Sequence, residues 1–288
     1  MANGEHLAVL QRTVMWRSPQ RWELWRTAYP QIELDLSGAD LRGQDLSGLN
    51  LRTVNLHRAY LSLANLTAAD LTGATLTRAN LYEANLTAAH LSEANLLDAR
   101  LIGATLTGAD LQGASLRTAD LREASLVNVN LSHADLIGAD LRAANLRQAD
   151  LCDANLMRAD LGRAKLNGAI ACSANLSRAN LSHSELIAAQ LIKASLYSAR
   201  LVAAQLTKAT LVGATLVETD LAGANLSWAN LSRANLSRAS LRGANLRGAN
   251  LSRACLKQAD LSQSDLRGAN LFKTDLSGAI LTGAILPD

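Results

Sequence analysis

Leucine returns at every fifth position from Leu36 to Leu286, in 50 of 51 cases and without a shift of register; Ala171 is the one exception. A helix turning about 100° per residue would advance that leucine by about 140° per repeat and smear it over every azimuth, leaving no buried face. A flat strand fails as well, because its side chains alternate and an odd period sends successive leucines to opposite faces. The chain must therefore turn a corner once per repeat, delivering each leucine to a common axis.

The other four positions agree. Two residues before the central one, from Ala39 to Ala284, alanine fills 42 of 50 positions, and most exceptions, such as Ser184, Thr219 and Ser264, are also small. The preceding position is Asp or Asn in 31 of 51 cases, and 16 of the 18 glycines follow the central residue by two. Such residues tolerate turn dihedrals, and the Asx side chain can bond local backbone. A core of leucine and alanine matches a composition with only 3% aromatics. At Ala171, which follows Ile170, the pattern predicts a local distortion: either Ile170 bends inward or a void remains. The period alone leaves open how many corners complete one circuit.

Runs such as Ala39-Asp40-Leu41-Arg42-Gly43 and the stretch 229–238 (ANLSRANLSR) resemble the signature of the pentapeptide-repeat family over residues 34–288. The resemblance implies an all-β solenoid, a right-handed quadrilateral β-helix in which four repeats make one square coil. Coils would then stack at ~4.8 Å into a rod of roughly 60 Å, with residues 20 apart lying above one another. Stacking neighbours would be compulsory for stability.

Residues 1–33 break the period and are expected to form an N-terminal helical cap, leaving 34–288 as the repeat domain. Leu7, Leu10 and Val14, then Trp22, Trp25 and Tyr29, follow helical spacing, with Ser18-Pro19 as a stop and restart. Trp16, Trp22 and Trp25 fall in this segment, which would cover the open end of the first coil or dock a partner. Its Trp-x-x-Trp-Arg lead-in is similar to those of bacterial, especially cyanobacterial, members of the family. At the other end Ile280 and Ile285 replace Asx in the last repeats before Leu286-Pro287-Asp288, and no capping helix is expected to follow them. An open last coil exposes strand edge and apolar interior, so an end-to-end homodimer is expected there.

A net charge of +3 is short of that of a dedicated nucleic-acid binder and disfavours an acidic mimic of DNA. Three cysteines read as reduced thiols and a cytoplasmic location, with neither a secretory signal nor a membrane-spanning run. Family members that confer quinolone resistance through DNA topoisomerase resemble duplex DNA in shape and negative charge and dimerise through a C-terminal element. Such a role is the alternative here, but outward acids such as Glu83, Glu93, Asp98 and Glu123 are few.

Catalytic, cofactor and metal sites are not expected. His133, Asp153 and Ser173 share a column, but the order places Ser two ~4.8 Å steps from His, too far for the proton transfer a triad needs. Cys152 and Cys172 would stack within disulfide range, yet Ser132 and Ile192 in their column supply no further ligand. No phosphate loop or nucleotide fingerprint is present.

Specificity is therefore expected on the outward residues. From 186 to 222 the position after each leucine turns apolar, as Ile187, Ile192, Tyr197, Val202, Val212, Val217 and Ala222, interrupted by Thr207. Over the same stretch Asx gives way to Glu185, Gln190, Ser195, Arg200, Gln205, Thr210 and Thr215. The belt reads either as a contact surface or as β-branched residues that favour strand faces. From Trp228 to Lys273 there are eight basic and two acidic residues, with Arg233, Arg253 and Lys273 in one column. That column either splays into solvent or meets an anionic partner. The expected function is a non-catalytic protein-interaction or scaffolding module. Direct nucleic-acid binding ranks lower, since interleaved aromatics are scarce.

Overall fold

The computed structural model of the chain describes residues 3–15 and 19–287. Its repeating unit accounts for every backbone N–H, as the repeat Asp70-Leu71-Thr72-Gly73-Ala74 shows. Asp70 N donates to Leu49 O of the preceding coil at 2.9 Å, while Leu71 N and Gly73 N donate to His90 O (2.7 Å) and Ser92 O (2.9 Å) of the next. Ala74 N closes a tight turn onto Leu71 O at 2.9 Å. The remaining donor, Thr72 N, faces outward at the corner and is taken by the Asp70 carboxylate at 3.0 Å. Asx recurs for this reason: it supplies the one acceptor that the backbone ladder does not.

The third residue of each turn is left-handed, with φ +65 at Gly73, as a type II turn requires, and glycine collects there at no steric cost. Parallel bridges join residues 20 apart, such as Asn50 to Asp70 and Asp70 to His90, so four repeats make one coil. We number the four sides of a coil by their bridge residues: the first carries Asp35 and Asn55, the second Asp40 and Tyr60, the third Asp45 and Asn65, the fourth Asn50 and Asp70.

The chain divides into two compact units, Met1–Asp140 and Leu141–Asp288. The first begins with two helices, α1 (Gly4–Met15) and α2 (Pro19–Ala28). Asn3 caps α1, its Oδ1 accepting from Glu5 N at 3.0 Å, and α2 opens on Pro19, where a missing N–H costs nothing. Leu10 and Trp22 are fully buried, and Trp22 Nε1 donates to Asn50 O at 2.6 Å. Asn3 N donates to Asp35 O at 3.0 Å and Asp35 N to His6 Nδ1 at 3.2 Å, so the start of the helical segment is tied to the first coil as well. Trp25 stacks on Trp22 with centroids 5.7 Å apart. Trp16 and Ser18 lie outside the described residues. Every central leucine from Leu36 to Leu136 is buried, on the axis that the five-residue period demands.

In the second unit the central column is buried from Leu141 to Leu266. The distortion expected at Ala171 is not there. Leu151 N donates to Ile170 O at 2.6 Å, Ala171 N to Gln190 O at 2.7 Å, and Ile170 bridges Asp150 and Gln190 like any other bridge residue. Two flanking coils hold this backbone in register, so Ile170 stays half-buried on the outside and Ala171 simply leaves its lane short of a leucine side chain. Small polar residues in the alanine column satisfy themselves: the buried Ser184 hydroxyl donates to Leu181 O at 2.6 Å and that of Thr219 to Leu196 O at 2.8 Å. Ile280, Ile285 and Leu286, to which end-to-end pairing is assigned above, are 52%, 48% and 49% exposed.

Candidate interaction surface

The second unit carries both surface departures that the sequence singles out. Ile192 and Val212 lie on the fourth side, Tyr197 and Val217 on the first, Val202 on the second, and Ile187 and Thr207 on the third. All are half-buried or exposed, with Ile187 and Tyr197 the most open.

A second property of this belt was not anticipated. Because Asx is missing at six successive corners, from Gln190 to Thr215, the turn N–H groups of Ile192, Tyr197, Val202, Thr207, Val212 and Val217 find no acceptor among the described residues. Capping returns with Asp220, whose Oδ1 accepts from Ala222 N at 3.1 Å. At the other edge Ile187 N is rescued by Asn167 Oδ1 at 3.0 Å, from the coil before. Elsewhere among the described residues such gaps come at most two corners in succession. The belt thus pairs apolar side chains with a run of unspent backbone donors. The loss of Asx was visible in the sequence; its consequence needed the turn geometry.

The basic stretch sorts into neutralised and unneutralised cations. Arg267 forms a bidentate pair with Asp265, closest at 2.6 Å, and holds that carboxyl down to about 2, chiefly through its side-chain hydrogen bonds. Arg247 reaches the same carboxylate at 4.0 Å, Lys257 meets Asp275 at 3.3 Å, and Arg238 meets Glu218 at 3.6 Å. Arg233, Arg253 and Lys273 have no carboxylate within reach among the described residues. The corner they occupy borders a fourth side whose bridge residues are Gln190, Thr210, Asn230, Asn250 and Asn270, none of them acidic. Lys273 lies over the ring of its neighbour Phe272 at 5.3 Å.

An open groove of about 490 Å³ runs along this side, lined by Val212, Ser232, Asn250, Ser252, Asn270 and Phe272 with Arg233 and Arg253 on its rim. Val212 belongs both to the groove and to the apolar belt, so the two departures meet in one surface. At the corner of the third side Trp228, 67% exposed, lies flat over Gly248, where a Cβ would meet its ring at 2.6 Å. Sequence reasoning counted that tryptophan only as a boundary.

The triad-like column runs up to this surface, with Ser173 N donating to Ile192 O at 2.9 Å. Asp153 and Ser173 occupy left-handed corners with φ 56 and 58, and His133 belongs to the first unit. Cys152 and Cys172 are free thiols. Burial, and after it the Asp150 carboxylate, pushes the Cys152 thiol up to about 11, so it stays protonated and unreactive at neutral pH. No helix among the described residues is long and apolar enough to cross a membrane.

A family model described as pentapeptide repeats matches residues 35–170 and 174–286 in overlapping segments. Among solved structures, the chain is 31% identical to HetL, a pentapeptide repeat protein involved in heterocyst differentiation regulation from the cyanobacterium Nostoc sp. strain PCC 7120. That match covers 90% of this chain and 95% of HetL, with a TM-score of 0.41. It is 37% identical to the pentapeptide repeat protein Rfr23 of the cyanobacterium Cyanothece 51142, over 35% of this chain and 63% of that one, at a TM-score of 0.17. QnrB1, a plasmid-mediated fluoroquinolone resistance protein, is 19% identical over 65% of this chain and 89% of its own, at a TM-score of 0.30. No curated protein matches the sequence.

Proposed function

Since the chain belongs to the pentapeptide-repeat family, we propose that it is a non-catalytic interaction module of the cytoplasm, a right-handed quadrilateral β-helix behind a helical cap formed by residues 1–33. Its protein partner docks on the second unit across the fourth and first sides. The observation that carries this reading is a run of six consecutive corners with uncapped backbone donors, five of which also carry apolar side chains. Leaving polar groups unpaired costs stability, and the chain does so where it also exposes apolar area. Ile192, Tyr197, Val212 and Val217 supply the apolar contact, while Ile187 and Val202 extend it around the coil. Arg233, Arg253 and Lys273 supply a charged flank that steers an acidic partner and fixes its orientation.

The test is affinity capture from the native cell with the intact chain and with Tyr197→Ala/Val217→Asn. Loss of a specific protein from the variant eluate supports the proposal; an unchanged eluate refutes it. The competing reading, a topoisomerase-directed protection factor, requires the purified protein to alter gyrase supercoiling. The positive charge of residues 228–273 speaks against it, because a surface that replaces DNA on an enzyme must be negative.

A further inference from the structure

We propose that the groove on the fourth side binds a phosphate monoester, presented on an extended peptide segment of the partner, between Arg233 and Arg253. The proposal rests on reading this surface as an interaction surface and adds the chemistry of what it recognises.

The groove is built of donors. Asn250 Oδ1 and Asn270 Oδ1 are each spent on a corner, accepting from Ser252 N at 3.1 Å and Phe272 N at 3.0 Å. Both residues line the groove, and neither amide NH2 has an acceptor among the described residues. The hydroxyls of Ser232 and Ser252 likewise make no hydrogen bond among the described residues. At other corners, such as Ser237 and Ser262, the same serine folds back onto its Asx at 2.6 and 2.5 Å, but these two do not. Above this floor stand two guanidiniums on adjacent coils, ~4.8 Å apart at the backbone. Their main chains are fixed by Arg233 N to Ser252 O at 3.0 Å and Arg253 N to Phe272 O at 2.9 Å.

Such a set fits a tetrahedral dianion better than a carboxylate. A carboxylate offers two coplanar oxygens, which a single guanidinium fork already satisfies. A phosphate monoester carries close to two charges at neutral pH and three oxygens pointing in different directions. One oxygen can turn down to the hydroxyl and amide floor while the others meet one guanidinium each. Two positive charges, with no acidic bridge residue on this side from Gln190 to Asn270, match its charge. Val212 at one end and Phe272, 59% exposed, at the other leave apolar ground for the residues on either side of the phosphorylated one.

The experiment is a titration of the 15N-labelled intact chain, followed by NMR, with the blocked peptide Gly-Gly-phosphoserine-Gly-Gly. The unphosphorylated peptide, its Glu counterpart and inorganic phosphate serve as the comparison arms. The expected result is saturable shifts of the Asn250 and Asn270 side-chain amides with the phosphopeptide. Affinity should fall roughly tenfold or more in Arg233→Ala and again in Arg253→Ala, as charge-assisted bonds of this kind imply. Arg238→Ala, an exposed cation paired elsewhere, should bind as the parent does. Absence of shifts at millimolar phosphopeptide, equal binding of the Glu peptide, or equal binding by Arg233→Ala/Arg253→Ala would overturn the site. Inorganic phosphate binding as tightly as the phosphopeptide would overturn the claim that the ligand is peptide-borne. Because none of these readouts needs the native partner, failure here is separable from an unchanged eluate in the capture experiment.

Discussion

Restoring the missing corner acceptors should stabilise the second unit and weaken its interaction. The cleanest positions are Thr210 and Thr215, bridge residues whose side chains make no hydrogen bond of their own, followed by uncapped Val212 and Val217. In Thr210→Asn/Thr215→Asn each new amide oxygen would sit two residues before its donor. Asn230 and Asn235 already do this one coil on, accepting from Ser232 N and Ser237 N at 3.1 Å. Each such bond contributes about 0.5–1.5 kcal/mol, and loss of a β-branched residue from a bridge subtracts a few tenths. The two positions lie on adjacent sides and share no partner, so the gains should add to about 1–2 kcal/mol.

Urea unfolding should show a higher midpoint at unchanged slope, and hydrogen exchange at the Val212 and Val217 amides should slow while distant amides are unaffected. The same double variant should recover less of the captured partner, because the donors it consumes are those we assign to the interface. Unchanged exchange at these two amides would mean that they are already satisfied, and the argument from uncapped corners would collapse.

Two further outcomes follow from the structure. Ala171→Leu should fill the lane between Leu151 and Leu191 and raise stability by about 2 kcal/mol, the lower end of what a buried leucine side chain is worth, measured by urea denaturation; destabilisation would mean that the coil has closed around the alanine. On the acid side, Asp40 and Asp265 are held down to about 2, mainly by side-chain bonds from Arg42 and Arg267, and Asp35, Asp70, Asp98, Asp120, Asp260 and Asp275 are shifted in the same direction. A carboxyl whose folded value lies below its unfolded value of about 3.9 stabilises the fold above that pH and loses its contribution as pH falls toward the folded value. Thermal stability should therefore be flat near neutrality and fall between about pH 4 and pH 2; a midpoint insensitive to pH there would show that the corner carboxylates carry no weight.

The architecture was legible because one constraint recurs fifty times: an odd period with a leucine in every register admits only a chain that turns once per repeat. The helices were legible from Leu10 and Trp22, whose spacing places one apolar contact on each. Ala171 misled because a substitution read in one dimension looks like a local fault, whereas the coils on both sides impose the backbone path and leave only a missing side chain. The belt and the basic column were visible as compositions, but their meaning was not. Which N–H groups went unpaired depended on the turn, and which arginines stayed free depended on acids one coil away, such as Asp265 below Arg247.

That distinction bears on how a chain of this kind can carry information at all. Its core tolerates almost no variation, since within each unit the central residues 20 apart share one lane, and its ladder bonds are made by backbone that looks the same whatever the side chains are. Recognition can then be encoded in only two ways: by what the outward side chains are, and by whether a corner keeps its own acceptor. The first is cheap, because an exposed arginine for an exposed serine alters stability by about half a kcal/mol or less. The second costs stability at each corner, and a run of six is hard to accumulate by drift in a protein only marginally stable. A stretch where both change together, from Gln190 to Val217, is therefore where we place the docking surface. The groove that begins at Val212 extends that stretch into the only part of the fourth side from Gln190 to Asn270 where free cations rise over a floor of unspent hydroxyls and amides.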